Sequence, residues 1–128
     1  MALVVDSGGV SALTGQRARL AELRHRGAWP PLVPAVVLTE ALTGDPRRDV
    51  VANRLLRMCQ VRPVGEDVAR VAARLRTGTG RAGTISAVDA LVAAIALRVA
   101  EPVVLTSDPD DLRALVAVSG VEVLVARA

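Results

Sequence analysis

The sequence predicts an α/β fold: one domain with a mainly parallel central sheet of about 4–5 strands and helices on both faces. First, short β-branched apolar runs alternate with helical stretches along the whole chain. Second, 128 residues that are 52% hydrophobic suffice for one buried core. Third, most of the apolar content is Ala, Val and Leu, with no Phe or Tyr, which suits helices packed on a buried sheet. We therefore treat residues 1–128 as one domain.

The N-terminal part is predicted to run strand, helix, helix. The apolar run Ala2–Val5 predicts a strand that ends at Asp6, and helical periodicity begins near Val10. A helix with one buried stripe is expected from Gln16 to His25, and Gly27 ends it. These elements give the alternation that a parallel sheet requires.

A group of prolines follows, and it predicts an extended passage before the next helix. The segment AVVLTEAL, which begins just after Pro34, is expected to form a short helix. Glu40 is the only acid of this helix, which is otherwise very apolar.

The rest of the chain continues the pattern. In order, we predict a helix over 49–58, a strand over 60–64, a helix over 66–76, a flexible loop over 77–84, a helix over 87–99, a strand VVLT after Pro102, a helix start in SDPDDL, and a strand over 121–125. Asp89 is the only acid of the helix over 87–99. Asp6 and Asp108 each follow a strand directly, and ligands gather where parallel strands end. We therefore expect these two acids at one edge of the sheet.

Five acids are candidates for one metal site: Asp6, Glu40, Asp89, Asp108 and Asp111. Several carboxylates that converge supply the hard oxygen ligands that Mg²⁺ or Mn²⁺ prefers. With such an ion, a carboxylate site can hydrolyse a phosphodiester bond. Because their negative charges would crowd one another, we also expect some of these acids to have raised pKa values when no metal is bound.

Each acid also has a purely structural interpretation, which the sequence leaves open. Asp6 can cap the first helix, and Ser86 with Asp89 can form a capping pair. Asp108 before Pro109, with Asp111 three residues on, has the pattern of a capping box.

Two of the acids favour a site over capping. Glu40 and Asp89 stand alone in the most apolar helices, so we expect both to be buried or half-buried. A buried carboxylate is costly unless a cation or hydrogen-bond donors compensate its charge. The pattern therefore indicates a metal ion or an arginine partner.

Composition and motifs exclude several classes of phosphate-binding protein. All 16 basic side chains are Arg, so a Walker A loop or a receiver-domain site, which need a lysine, cannot form. The residues after the first strand, DSGGV, match neither the DxDxT motif of dehalogenase-like phosphatases nor the GxGxxG of dinucleotide enzymes. The arginines and a net charge of +3 permit a nucleic-acid partner.

No apolar run reaches the roughly 18 residues of a membrane span. The N-terminal segment MALVVDSGG reaches an acid before the apolar core of a signal peptide could develop. We expect a cytoplasmic protein with no membrane attachment.

Four segments together resemble one protein family across nearly the whole chain: LVVDSGGVSAL, PAVVLTEAL, SAVDALVAAIAL and VVLTSDPDDL. In order and spacing they are similar to the PIN-domain ribonucleases, and within these to the VapC-type toxins of bacterial toxin–antitoxin systems. The resemblance implies a PIN-like domain over 1–128 that cleaves RNA with a metal-activated water. It also implies a cognate VapB-like antitoxin that occludes the site, and a homodimer.

The resemblance assigns the catalytic and Mg²⁺- or Mn²⁺-binding acids as Asp6, Glu40, Asp89 and Asp108. Asp111 could be an additional ligand. Family members differ in which acid of SDPDD fills the last place, so Asp108, Asp110 and Asp111 stay open there; we favour Asp108 and rank Asp110 last. Supporting hydroxyls would come from Ser7, Thr106 and Ser107. One departure is SGG after Asp6, where the family more often has a hydroxyl residue followed by Ser.

Three arginines in or near loops are candidates for contact with RNA phosphates: Arg47, Arg48 and Arg81. Two alternatives to an RNA-cleaving toxin stay open. One is a catalytically inactive PIN-fold binding or regulatory module. The other is a DNA-directed nuclease, because the metal chemistry does not distinguish the two sugars.

Overall fold

The computed structural model describes all 128 residues, and its strands alternate with helices along the chain. The strands are β1 (Ala2–Val5), β2 (Leu32–Pro34), β3 (Gln60–Arg62), β4 (Pro102–Thr106) and β5 (Leu124–Arg127). The helices are α1 (Ser7–Leu13), α2 (Arg17–His25), α3 (Leu38–Ala41), α4 (Val50–Leu56), α5 (Glu66–Gly78), α6 (Ala87–Ala96) and α7 (Pro109–Ser119), with a 3₁₀ helix over Ala35–Val37 before α3.

The five strands form one sheet in the order β3-β2-β1-β4-β5, and every pair of neighbours is parallel. This confirms the predicted sheet. From β1 the chain moves outward to β2 and β3, then crosses back to β4 on the other side of β1. The strand order therefore reverses between β1 and β4, and in parallel sheets the carboxyl ends at such a point form a crevice that binds ligands.

Helices cover both faces of the sheet, as predicted. Helix α1 packs with α3 and α4, while α5, α6 and α7 pack with one another. The core contains 26 buried hydrophobic residues, all of them Ala, Val, Leu or Ile. Helix α6 is the most buried, since the five residues from Val92 to Ala96 are all fully inaccessible. Small side chains let this helix lie close to the sheet.

Several predicted boundaries were wrong, and one strand was not predicted. The helix predicted over 87–99 ends at Ala96, and the strand predicted over 60–64 ends at Arg62. The proline-rich passage contains β2, a strand of only three residues whose backbone pairs with β1 and β3. The last strand is β5 at Leu124–Arg127 and not 121–125, because its pairing with β4 begins at Val103↔Leu124. The loop predicted over 77–84 starts later, since α5 continues to Gly78.

No helix of this chain has the combination of length and apolar character that crossing a membrane requires.

Asp49 is a buried acid that the sequence analysis did not single out. It is 4% exposed and lies just before α4. Its carboxylate accepts hydrogen bonds from the backbone N–H groups of Thr43 and Gly44, both at 2.9 Å, and from the Thr43 hydroxyl at 2.9 Å. The Thr43 backbone N–H is the main reason that the pKa of Asp49 is lowered. The carboxylate thus holds the loop between α3 and α4.

We expect Asp49→Asn to lower the melting temperature at pH 7, because the amide retains only one acceptor oxygen for these donors. A carboxyl whose pKa is lowered on folding stabilises the folded state above its unfolded pKa of about 4, and this contribution is lost as the pH falls through the lowered pKa. The difference between the variant and wild type should therefore shrink in thermal melts below about pH 4. A difference that stays constant from pH 7 to pH 3 would contradict an ionic role.

Candidate active site

The candidate active site lies at the carboxyl ends of β1 and β4, where the strand order reverses. Val5 pairs with Leu105 in the sheet, and the backbone N–H of Asp6 donates to the Leu105 carbonyl at 3.3 Å. Asp6 and Asp108 follow these two strands. The expectation that both acids lie on one edge of the sheet agrees with this placement.

Asp6 is 4% exposed, and both of its carboxylate oxygens accept hydrogen bonds. Oδ1 accepts from the backbone N–H of Gly9 at 2.8 Å, so Asp6 does cap α1. Oδ2 accepts from the hydroxyl of Thr106, a fully buried residue at the end of β4. The same Thr106 oxygen accepts the backbone N–H of Asp108 at 2.9 Å. Thr106 thus links the two strand ends and fixes Asp6 relative to Asp108.

The acids Asp89, Asp108 and Asp111 form the acidic cluster of this site. One carboxylate oxygen from each lies within 4.8 Å of the others. Asp89 lies in the first turn of α6, and Asp111 in the first turn of α7. The packing of α6 against α7 and β4 brings these segments together.

Capping does not explain Asp108 and Asp111. Asp108 occupies the N-cap position of α7, yet its side chain makes no capping hydrogen bond. Its own backbone N–H goes to Thr106 and not to Asp111, so the capping box that the sequence allowed does not form. Asp110 is 91% exposed and pairs with Arg113 at 3.5 Å, outside the cluster. Capping is real at Ser86, whose hydroxyl accepts the backbone N–H of Asp89, but this cap involves the backbone of Asp89 and does not account for its carboxylate.

The pKa of Asp89 is raised to about 6. The main cause is burial, which disfavours the charged form, and the negative charges of Asp108, Asp6 and Asp111 add to it. The hydrogen bond with Ser86 acts in the opposite direction. This rise agrees with the expectation that crowded acids hold protons when no cation is present.

If Asp89 is a ligand of a divalent metal, the affinity for Mn²⁺ is expected to depend on pH, because the carboxyl would have to lose its proton to bind the ion. Below about pH 6 the apparent affinity should fall by up to about tenfold per pH unit, and above about pH 6.5 it should level off. Isothermal titration of the purified protein at pH 5 and pH 7 measures this directly. Equal affinities at the two pH values would show that Asp89 carries no proton that the metal displaces.

Glu40 lies outside this cluster. The hydroxyl of Ser7 donates to Glu40 Oε1 at 3.3 Å, which joins α3 to the start of α1. The expectation that Glu40 is buried or half-buried was wrong: it is exposed, and α3 is a single turn with no buried residue. For Asp89, which is half-buried, the same expectation agrees with the structure.

The predicted phosphate contacts occupy different places. Arg47 and Arg48 are exposed in the loop before α4, where Arg48 approaches Asp45 at 3.9 Å. Arg81 instead reaches the acidic cluster, and its Nη2 donates to Asp111 Oδ1 at 2.8 Å.

Two glycines after Asp6 explain the departure from the family pattern. A Cβ atom at Gly9 would lie 2.6 Å from the carbonyl oxygen of Leu105, and one at Gly8 would lie 2.4 Å from Cβ of Ser107. Ser107, an exposed residue predicted to support the site, therefore lies directly against α1. The glycines let α1 start in contact with the end of β4, and their adjacency in SGG was the signal in the sequence.

Comparison with known proteins agrees with this architecture. The model of the PIN domain family matches residues 4–117. Among solved structures, FitAB bound to an IR36 DNA fragment superimposes with a TM-score of 0.64 and 21% identity, covering 98% of this chain and 94% of that one. FitAcB from Neisseria gonorrhoeae gives a TM-score of 0.63 and 22% identity, covering 95% and 96%. No curated protein sequence matches significantly. The family match spans the strands and helices that carry all five acids, and the chain therefore belongs to the PIN domain family.

Proposed function

We propose that this protein is a metal-dependent endoribonuclease and the toxin of a toxin–antitoxin pair. The observation that carries this proposal is the acidic cluster at the point where the strand order reverses. Three carboxylates within 4.8 Å of one another, with one arginine partner among them, leave negative charge that a divalent cation would neutralise.

The donor set fits Mg²⁺ or Mn²⁺. Its atoms are carboxylate oxygens, with no His or Cys in the cluster, and hard oxygen ligands select these ions over zinc. Asp89, Asp108 and Asp111 would hold the ion. Asp6 would complete the set on the β1 side, because each of its hydrogen-bonded oxygens keeps a second lone pair. When bound, the ion would activate water and neutralise charge on the scissile phosphate.

Neighbouring hydroxyl and backbone N–H groups would hold the carboxylates of Asp6 and Glu40 in place. Asp6 lies outside the group of three acids, but Thr106 and the N–H of Gly9 hold both of its oxygens, so its carboxylate would keep one orientation. Ser7 holds Oε1 of Glu40 and leaves Oε2 without a protein partner. We therefore keep Glu40 in the proposed set of metal ligands, with Oε2 as its available oxygen.

RNA is the substrate we favour, on the resemblance to VapC-type toxins and on the net charge of +3. Arg47 and Arg48 are exposed and would contact phosphates beyond the scissile one. The same resemblance supports a VapB-like antitoxin, a homodimer and action in the cytoplasm. DNA is the second candidate substrate, because the structurally similar FitAB binds a DNA fragment.

The experiment that tests the substrate is a competition between single-stranded RNA and DNA of identical sequence, mixed in equal amounts with purified protein and Mn²⁺. We expect the RNA to be cut and the DNA to remain intact, with both intact in EDTA. Preferential cleavage of the DNA would establish the DNA-directed alternative. Binding of either strand without cleavage, after removal of any bound antitoxin, would establish an inactive binding module.

A further inference from the structure

Arg81 projects from a backbone that hydrogen bonds hold in place. Its N–H donates to the Thr79 hydroxyl at 3.0 Å, and its carbonyl accepts from the N–H groups of Thr84 and Ile85 at 2.9 and 3.0 Å. Arg76 of α5 closes the same loop by donating to the Ile85 carbonyl at 2.7 Å. The connection between α5 and α6 is therefore braced at both ends, and the arginine side chain extends from a fixed point.

The guanidinium of Arg81 is the one basic group that forms an ion pair with the acidic cluster. It contacts Asp111 Oδ1 at 2.8 Å, while neither Asp89 nor Asp108 forms an ion pair. The Arg81 side chain is 49% exposed, and that of Asp111 is 22% exposed. The guanidinium can therefore leave the ion pair for solvent at little cost, since half of the Arg81 side chain already faces water.

We propose that Arg81 and a divalent ion compete for Asp111, and that the displaced guanidinium binds an RNA phosphate. This inference rests on the proposed function and adds to it a regulated contact with substrate. A doubly charged ion among the three carboxylates repels the guanidinium and takes over the role of neutralising Asp111. The freed planar group offers paired donors that suit a phosphate. Metal loading would thereby prepare the site for RNA.

The first test is Mn²⁺ binding to the full chain, measured by isothermal titration without RNA. Arg81→Gln should bind Mn²⁺ about fivefold more tightly than wild type, because the competing ion pair and its repulsion are gone. Arg81→Lys should stay close to wild type. Arg113→Gln is the matched control. It also removes one positive charge, but Arg113 lies on α7 and its partner Asp110 is outside the cluster. We expect it to change the affinity less than about twofold.

The second test measures binding of a short oligoribonucleotide in EDTA, so that no metal and no cleavage intervene. As a single substitution, Arg81→Gln should change the affinity for RNA less than about twofold, because Asp111 already holds the guanidinium in the wild-type protein. In an Asp111→Asn background the arginine is free, so the same substitution should weaken RNA binding about fivefold or more.

The outcomes separate this inference from the proposed function. Weaker or unchanged Mn²⁺ binding in Arg81→Gln, with normal binding in wild type, overturns the competition and leaves the nuclease site standing. Equal effects of Arg81→Gln on RNA binding in the two backgrounds also overturn it. Absence of Mn²⁺ binding in wild type overturns both proposals.

Discussion

Asp89→Asn is expected to lower metal-dependent RNA cleavage by at least about 10²- to 10³-fold, and to stabilise the metal-free protein at the same time. The loss of activity follows because the amide offers a neutral oxygen where the site needs a charged ligand. The gain in stability follows from the raised pKa of Asp89. For a carboxyl whose pKa rises on folding, ionisation costs folded-state stability, and this cost develops between the unfolded pKa of about 4 and the folded pKa of about 6.

Two measurements check this prediction. Initial cleavage rates with Mn²⁺ should show the loss, and thermal melts in EDTA at pH 7.5 should give the variant a higher melting temperature than wild type. Adding Mn²⁺ should raise the melting temperature of wild type and leave the variant unchanged. Asp110→Asn is the matched control, because Asp110 lies on the first turn of α7 and outside the cluster. Wild-type cleavage by Asp89→Asn would remove Asp89 from the site.

Gly9→Ala is expected to cause the largest loss of stability among substitutions near the site, about 1–3 kcal/mol or more. The added Cβ would lie 2.5 Å from Cγ1 of Val5 and 2.6 Å from the Leu105 carbonyl oxygen. The second contact is with backbone inside the sheet, so α1 must move away from β4. Because the N–H of Gly9 donates to the Asp6 carboxylate, this movement should also lower cleavage.

Urea denaturation of the metal-free protein measures the change in stability. Gly83→Ala is a suitable control, since nothing lies within 4 Å of its added Cβ, and it should be neutral. A second comparison separates side-chain from backbone overlap. Gly8→Ala meets mainly the side chain of Ser107, so adding Ser107→Gly should restore part of its stability, whereas no single side-chain change should restore Gly9→Ala. Wild-type stability of Gly9→Ala would contradict the close approach of α1 to β4.

Much of the fold was predictable because its signals are local. The apolar run before Asp6 and the run before Asp108 are strands, and the most apolar stretch of the chain is the helix α6. The strand β2 was missed because its three residues follow two prolines, end in a third and carry no period-two pattern. Pairing with two neighbouring strands makes them a strand. The last strand was displaced because apolar content continues from Val121 onward, and only the pairing with β4 sets where it begins.

The positions of the candidate acids were predictable only in part. Strand ends followed by acids placed Asp6 and Asp108 at one edge, and an isolated acid in an apolar helix indicated Asp89. The grouping of Asp111 with these acids depends on how α7 packs against α6, which no local pattern contains. No local pattern predicts the pairing of Arg81 either, because its partner Asp111 is 30 residues away. The exposure of Glu40 in the single turn of α3 was also not predictable from its apolar neighbours.

We propose that the acidic cluster cleaves RNA with a divalent metal. The most direct test is incubation of a mixed cellular RNA pool with purified, antitoxin-free protein in Mg²⁺, in Mn²⁺ and in EDTA, beside Asp89→Asn. We predict discrete RNA products with wild type and metal only, and their loss in EDTA and in the variant. Products that persist in EDTA, or in Asp89→Asn at the wild-type rate, would contradict a metal-dependent carboxylate site, and intact RNA in every lane would contradict a nuclease.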